Sequence, residues 1–153
     1  MRIFVAALGL LLCGCMANEP QPLGPATIPL RNPTAPVASQ LDASLARLAG
    51  TWVVVQGAGL NAGSNLRFDG QSVSVNGAQL ALQDKGRGRI VMGNEEIWVH
   101  WIDADNRTAA LGEPNGGRVW IMDRTGQPGE RLKAAREILD WYGYDLRRLA
   151  ENG

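Results

Sequence analysis

Residues 65–83 read NLRFDGQSVSVNGAQLALQ, and this stretch decides the fold expected for the chain. Apolar and polar side chains alternate along it, with the two-residue period of a half-buried β-strand. The pairs Asp69-Gly70 and Asn76-Gly77 interrupt the alternation, and such pairs are typical of tight hairpin turns. The stretch therefore predicts three consecutive antiparallel strands. Their inward faces would carry these apolar residues: Leu66, Phe68, Val73, Val75, Leu80 and Leu82.

Short strand patterns continue on both sides of this stretch. They cover Thr51–Gln56, Arg87–Met92, Glu95–Ile102, Thr108–Leu111 and Arg118–Met122. About eight short strands with short connections predict an antiparallel meander, and closure into a barrel would remove the exposed strand edges. The expected fold is mainly β, a small up-and-down β-barrel.

A short helix is predicted before the first strand. Ser39 is a suitable capping residue for its start. Leu41, Leu45 and Leu48 fall at helical spacing on one face, and Gly50 would end the helix.

A second, amphipathic helix is predicted over Glu130–Tyr142, with Gly143 as its stop. Its apolar stripe must be buried, and the outside of the barrel is the available surface. The strand at Val119–Met122 suits this packing because it is apolar on both faces. The stripe consists of Leu132, Ala135, Leu139 and Tyr142.

The N-terminus has the pattern of a secretory signal. Arg2 supplies a positive charge, and the ten uncharged residues from Ile3 to Leu12 are too few to span a bilayer, which needs about 20. The following Leu12-Cys13-Gly14-Cys15 resembles a bacterial lipoprotein processing site, which predicts a signal peptide over residues 1–14 and a lipidated Cys15. An ordinary cleaved signal with incidental cysteines is the alternative.

Residues 15–39 are expected to form a lipidated, proline-rich tether before a domain over residues 40–153. Six of the chain's eight prolines lie between Ala17 and Ser39. Proline removes backbone donors and fixes φ, so this segment is predicted to be extended and mobile rather than helical or paired in a sheet.

Composition excludes several functional classes. Removal of residues 1–14 leaves 14 basic residues, since Arg2 is lost from 15, against 15 acidic residues, a net charge near −1. There is then no global field to attract nucleic acid. Cys15 becomes the only cysteine, so the domain must be stable without a disulfide, and its length suits one modest core.

Two groups of residues carry a family resemblance. Gly50-Thr51-Trp52 resembles the G-x-W signature of lipocalins. The stretch from Trp98 to Leu149 resembles the C-terminal half of the outer-membrane bacterial lipocalins, relatives of apolipoprotein D. The resemblance implies an up-and-down barrel with a helix on its flank. It also implies that Trp52 and Arg124 pair at the closed end, where a cation–π contact stabilises the fold.

The chain departs from the family pattern in its middle. Only 67 residues separate Trp52 from Val119, and the shortening falls between Asp84 and Ile97. Either one strand is missing or all strands are short, and the interior would hold a small lipid or be filled by side chains.

Catalytic and metal sites are not expected. His100 is the only histidine, and Asp103 and Asp105 suit a tight turn between strands. No metal and no cofactor are predicted, and the protein is not expected to be an enzyme. Trp98 and Trp101 have opposite parity on their strand, so an inward Trp98 would share the interior with His100 and add polar character to a ligand pocket. The alternative is that the tryptophans only fill the core.

The sequence thus favours an envelope lipoprotein of lipocalin type, held at the periplasmic face of a Gram-negative outer membrane. Its expected partners are the membrane, through the lipid anchor, and a small amphiphile such as a fatty acid or lysophospholipid. Met16 after Cys15 shows no inner-membrane retention signal. The alternative is a ligand-free barrel that acts through protein contacts, either as a periplasmic metalloprotease inhibitor or as a structural protein.

Overall fold

A computed structural model describes residues 28–151. The predicted signal peptide, the lipidation of Cys15 and the first part of the tether lie outside the described residues. Within residues 28–151, no helix is both long enough and apolar enough to cross a membrane.

Residues 28–151 contain nine strands and two α-helices. The strands are β1 (Gly50–Ala58), β2 (Asn65–Phe68), β3 (Ser72–Val75), β4 (Ala78–Gly86), β5 (Arg89–Met92), β6 (Glu95–Ile102), β7 (Thr108–Gly112), β8 (Val119–Asp123) and β9 (Ala150–Glu151). The helices are α1 (Leu45–Leu48) and α2 (Arg131–Trp141), and one 3-10 turn follows at Leu146–Arg148.

Strands β1 to β8 close into an antiparallel barrel in which sequential strands are neighbours. Closure depends on β1, which pairs with β2 through Gly50–Val53 and with β8 through Val53–Ala58. The short β9 pairs with Gln56 and Gly57 of β1, beyond the point where β2 has ended. The predicted eight-stranded meander is confirmed, so the shortened middle has not lost a strand; within it only β5 is short, with four residues, whereas β4 has nine and β6 has eight.

The barrel has two ends with different character. We call the end at Trp52 and Arg124 the floor. The opposite end, the mouth, is formed by the loop after β1, by the β3–β4 and β5–β6 turns and by the β7–β8 loop at residues 113–118.

Two apolar clusters stabilise the domain, one on each side of the barrel wall. Strand β8 shows the division, because Trp120 and Met122 point into the interior whereas Val119 and Ile121 point outward. The outward residues pack against Ala135 and the rest of the α2 stripe, as predicted: Leu132, Leu139 and Tyr142.

The first helix is shorter than predicted. It begins after Ser44, and Leu41 is 66% exposed instead of packing beside Leu45 and Leu48. The physical reason is that Gln40 is bound to strand β6. Its backbone N–H donates to the Val99 carbonyl at 2.8 Å, and its side-chain oxygen accepts from the Ile102 N–H at 2.8 Å. Residue 40 is thus held against β6, and the helix starts only after Ser44.

The chain before α1 forms an N-terminal strap, residues 28–44, along the outside of the barrel. Leu30 N–H donates to the Gly116 carbonyl at the mouth (2.8 Å), and the Ser39 hydroxyl donates to the Arg87 carbonyl (2.7 Å). Residues 28–39 are therefore held by the barrel, and the prediction of a mobile tether does not apply to them. The prolines prevent regular pairing, but side-chain and isolated backbone hydrogen bonds replace it.

Candidate functional site

The mouth of the barrel opens into an apolar cavity of about 280 Å³. Its walls come from the loop after β1 and from the inward faces of β3, β4, β5, β6 and β8, which the alternation of short strands places there. The apolar lining residues are Leu60, Val75, Leu80, Met92, Ile97 and Trp120, and Gly59, Glu95 and Arg118 complete the lining.

Charged residues of the cavity lie at its rim. The Arg118 guanidinium is 3.4 Å from a carboxylate oxygen of Glu113, which is buried. Burial raises the pKa of the Glu113 carboxyl above its ordinary value, the Arg118 charge opposes this shift, and Glu95 adds to it. The mouth thus combines an apolar wall with a polar rim, the arrangement that suits an amphipathic ligand.

Trp120 contributes a polar atom to this region. Its indole ring lines the cavity, and its Nε1–H is buried and has no hydrogen-bond partner within residues 28–151. A buried N–H without a partner costs about 1–3 kcal/mol, and the packing of the large indole ring in the interior offsets this cost.

The floor is closed by the pair that the resemblance implies. The Arg124 Cζ lies 3.7 Å from the centroid of the Trp52 ring. The same guanidinium donates to the carbonyls of Arg47 (2.9 Å), Ala49 (2.7 Å) and Asn106 (2.9 Å). These bonds fasten α1 and the β6–β7 turn across the barrel end, so a ligand has no entrance at the floor.

The predicted interior residues divide between the cavity and the packed core. Val75 and Leu80 line the cavity. The other four apolar candidates, Leu66, Phe68, Val73 and Leu82, are buried in the interior cluster without lining the cavity. The barrel is therefore filled by these side chains toward its floor and has a cavity at its mouth.

Trp98 and His100 do not line the interior. Ile97 and Val99 take the inward positions of β6, so Trp98 points outward, with the Arg89 Cζ 4.0 Å from its ring centroid. A β-bulge follows, because Val99 pairs with Leu111 but Trp101 pairs with Ala110. The extra residue changes the parity of the strand, and Trp101 therefore points outward as well.

His100, the bulged residue, is buried between the barrel and the strap. Its Nδ1 lies 2.7 Å from the Ala38 carbonyl, and its Nε2 lies 2.7 Å from the Tyr144 hydroxyl. Because a carbonyl can only accept, Nδ1 carries the proton and Nε2 accepts from Tyr144. Burial, together with the Arg31 charge, lowers the pKa of His100 to about 4, and the bond to Ala38 opposes this shift. His100 holds the strap and is not a ligand-binding residue.

Several cavity residues were not among the sequence candidates: Leu60, Met92, Ile97, Trp120, Arg118 and Glu95. The alternation of β6 contained a signal for Ile97, since Ile97, Val99 and Trp101 share one parity. If these three residues pointed inward, Trp98 would point outward, against the prediction. The bulge after Val99 also breaks the alternation, so no single face of the strand sequence matches the interior. Trp120 lies on a strand that is apolar on both faces, so periodicity alone does not choose its side.

A metal site is not supported by the described residues. Within residues 28–151, no group of three or more His, Cys, Asp and Glu side chains is placed to hold a metal ion. Asp103 instead accepts from the backbone N–H groups of Arg107 (2.6 Å) and Thr108 (2.8 Å) and from the Arg131 guanidinium (2.7 Å). These bonds hold the β6–β7 turn.

The different positions of Leu80 and Leu82 predict different outcomes for the same substitution. Leu80 is 38% exposed at the cavity rim, whereas Leu82 is 8% exposed in the interior. We expect Leu80→Asp to change the free energy of unfolding by about 1 kcal/mol or less, because water solvates the new carboxylate. Leu82→Asp should cost several kcal/mol because it buries a charge. Urea denaturation of both variants measures the difference, and equal losses would contradict the assignment of a solvated mouth.

Comparison with known proteins gives the same fold. The family model described as a lipocalin-like domain matches residues 65–152. Among solved structures, insecticyanin from the tobacco hornworm Manduca sexta is similar, with a TM-score of 0.57 and 17% sequence identity over 77% of this chain and 84% of that chain. At this identity the likeness shows the fold alone. No curated protein sequence matches the chain.

Proposed function

Because this chain belongs to the lipocalin-like domain family, whose fold suggests binding or transport of small hydrophobic ligands, we propose that it binds a small amphipathic molecule reversibly in its mouth cavity. The observation that carries the proposal is the cavity itself, which has an apolar wall and a rim that bears Arg118 and Glu95. A hydrocarbon chain fits the wall, and a polar head group stays at the rim in contact with water.

The size of the cavity restricts the ligand. The cavity has a volume of about 280 Å³. Drug-sized sites are typically about 300–1,000 Å³, so this cavity lies at the lower end. We propose a single-chain amphiphile, such as a fatty acid or a lysophospholipid, that inserts only part of its chain.

We further propose that the protein is an envelope lipoprotein anchored through Cys15 to the periplasmic face of a Gram-negative outer membrane. The support for this location comes from the sequence: the short apolar run after Arg2 and the Leu12-Cys13-Gly14-Cys15 processing pattern. We propose non-covalent binding without catalysis, since the buried His100 is bound to Ala38 and Tyr144 and does not line the cavity.

Native mass spectrometry tests ligand binding directly. A Cys15→Ser chain, secreted without a lipid anchor and purified without detergent, is expected to carry an added mass that organic solvent extracts. Titration of the extracted protein with dodecanoic acid or a lysophospholipid should then change the intrinsic tryptophan fluorescence, to which the cavity residue Trp120 contributes, and the change should saturate. A protein that stays unliganded in both experiments would overturn the proposal.

Filling the cavity should remove binding without unfolding the protein. Val75 is half-buried and lines the cavity, so Val75→Phe is expected to occupy the space of the ligand and weaken binding at least tenfold. Val91→Phe is the matched control, because Val91 is half-buried in β5 and belongs to neither the cavity lining nor the interior cluster. Equal ligand affinities in the two variants would show that the ligand binds elsewhere.

A second candidate function rests on the filled floor of the barrel. Trp52 and Phe68 leave no continuous interior for a large ligand, and this favours a barrel that acts through protein contacts, as a metalloprotease inhibitor or a structural envelope protein. An unliganded protein that inhibits secreted metalloproteases would support this alternative. Saturable ligand binding without inhibition would exclude the inhibitor.

A further inference from the structure

The described chain begins beside the mouth of the barrel. Leu30 N–H donates to the carbonyl of Gly116, which lies in the β7–β8 loop at the mouth. Gly116 has a φ of +84°, and a Cβ atom on it would lie 3.0 Å from the Pro29 Cβ and 3.1 Å from the Arg31 nitrogen. A larger residue would be strained at this φ and would press on the strap, so glycine favours the close contact.

A second contact fixes the same end of the strap. The Arg148 guanidinium donates to the carbonyls of Ile28 (2.8 Å) and Pro29 (3.2 Å). Ile28 and Arg148 border a surface groove together with Gly59 and the β7–β8 loop, and Gly59 also lines the mouth cavity. Ile28 is therefore a neighbour of the mouth and lies at the opposite end of the barrel from the floor.

The rest of the strap prevents this end from moving toward the floor. The buried Arg31 guanidinium donates to the carbonyls of Tyr142 (2.7 Å) and Pro114 (3.2 Å) and also to that of Ala35. Further along, Ala38 is bound to His100. The strap thus has fixed contacts from the mouth to α1.

We infer that the mouth of the barrel faces the lipid bilayer and contacts its surface through a rim that includes Ile28, Leu80 and Arg148. The inference rests on the proposed anchor at Cys15. Twelve residues, 16–27, separate Cys15 from Ile28, and 13 residue steps reach at most about 45 Å. Because the tether joins the domain beside the mouth, the mouth can reach the bilayer at any extension of these residues, whereas the floor reaches it only when they extend past the barrel wall of about 25 Å.

The exposed residues of the rim suit a lipid surface. Ile28 is 74% exposed, although it is a large apolar residue, and Leu80 is partly exposed at the cavity entrance. Arg148 adds a positive charge beside Ile28, where lipid phosphates would accept hydrogen bonds. A lipid chain could then pass from the bilayer into the cavity without crossing bulk water. This position of the mouth would favour ligand exchange with the membrane, because apolar surface in contact with water is unfavourable.

Labels at the two ends of β6 test this orientation. Asn94 is exposed in the turn before β6 at the mouth, and Ala104 is exposed in the turn after β6 at the floor. Eight residues of strand separate them by about 25 Å. The full-length lipoprotein, carrying either Asn94→Cys or Ala104→Cys with an environment-sensitive fluorophore, is reconstituted in phosphatidylethanolamine–phosphatidylglycerol vesicles that contain a brominated lipid quencher.

We expect several-fold stronger quenching at Asn94 than at Ala104. Equal quenching at both positions, or stronger quenching at Ala104, would overturn the inferred orientation. Flotation of the vesicles separates this failure from failure of the anchor. A protein that floats with the vesicles but shows no stronger quenching at Asn94 supports the anchor and contradicts the inferred orientation. A protein that does not float contradicts the anchor and, with it, the orientation.

A rim variant distinguishes contact from proximity. Ile28→Ser removes an exposed apolar side chain whose loss should not unfold the domain. We expect it to reduce quenching of the Asn94 label while flotation is unchanged. Unchanged quenching in Ile28→Ser would contradict the contribution of Ile28 to the contact with the bilayer.

Discussion

Replacement of Trp52 by alanine is expected to lower the free energy of unfolding by about 3–5 kcal/mol. The Trp52 ring is fully buried at the floor and belongs to the interior cluster, so its removal leaves a cavity that the surrounding strands cannot fill. Its Nε1–H donates to the Leu48 carbonyl at 2.7 Å, and this bond is also lost. Urea denaturation at neutral pH measures the change.

The cation–π part of this effect can be separated from the packing part. Trp52→Phe keeps an aromatic ring below Arg124 and therefore retains part of the cation–π contact. Arg124→Met removes the charge of this contact and also the hydrogen bonds to Ala49 and Asn106. A double-mutant cycle of Trp52→Ala and Arg124→Met should give a coupling of about 0.5–2 kcal/mol. A cost below 1 kcal/mol for Trp52→Ala would contradict a closed, packed floor.

The barrel could be predicted because its local signals agree with one another. The Asp69-Gly70 and Asn76-Gly77 pairs form the turns expected of them, and alternation placed Leu66, Phe68 and Val73 in the interior. Closure of the sheet into a barrel was predicted because it removes exposed strand edges. It is confirmed, since β1 pairs with both β2 and β8. Each of these features depends on residues close in sequence or on a general property of sheets.

The assignment of Trp98 and His100 to the interior failed because parity is not a local property of a strand. Alternation identifies two faces but not which one points inward: Ile97 and Val99 take the inward positions before the bulge, and the bulge at His100, which depends on its partner strand β7, turns Trp101 outward as well. The extra residue finds its partners in Ala38 and Tyr144, which are 62 and 44 residues away in sequence. The sequence of β6 alone therefore cannot predict which residues His100 contacts.

The strap was missed for a related reason. Prolines exclude a regular helix or ladder, but they do not exclude isolated bonds to a neighbouring surface. Arg31 shows this, because its guanidinium satisfies backbone carbonyls at Ala35, Pro114 and Tyr142. Composition identifies a segment that cannot form regular structure, whereas its attachment depends on carbonyls contributed by distant loops.

Acid is expected to destabilise the protein through His100, by about 3 kcal/mol between pH 6.5 and pH 4. The pKa of His100 is about 4 in the folded protein and near its ordinary value of 6.5 in the unfolded chain. Within this window the unfolded chain binds the proton and the folded protein does not. The stabilisation is therefore complete above pH 6.5 and is lost as the pH falls toward 4.

The variant His100→Gln isolates this contribution. It has no imidazole to titrate, so its free energy of unfolding should change much less than that of the wild type between pH 6.5 and pH 4, even if it is less stable at neutral pH. Asp103 and Asp123 have lowered pKa values and remain in both proteins, so their titration at more acidic pH cancels in the comparison. Urea denaturation at several pH values measures both curves. Parallel curves between pH 4 and 6.5 would mean that the His100 imidazole is protonated in the folded protein as readily as in the unfolded chain, and that the strap is not closed over a neutral histidine.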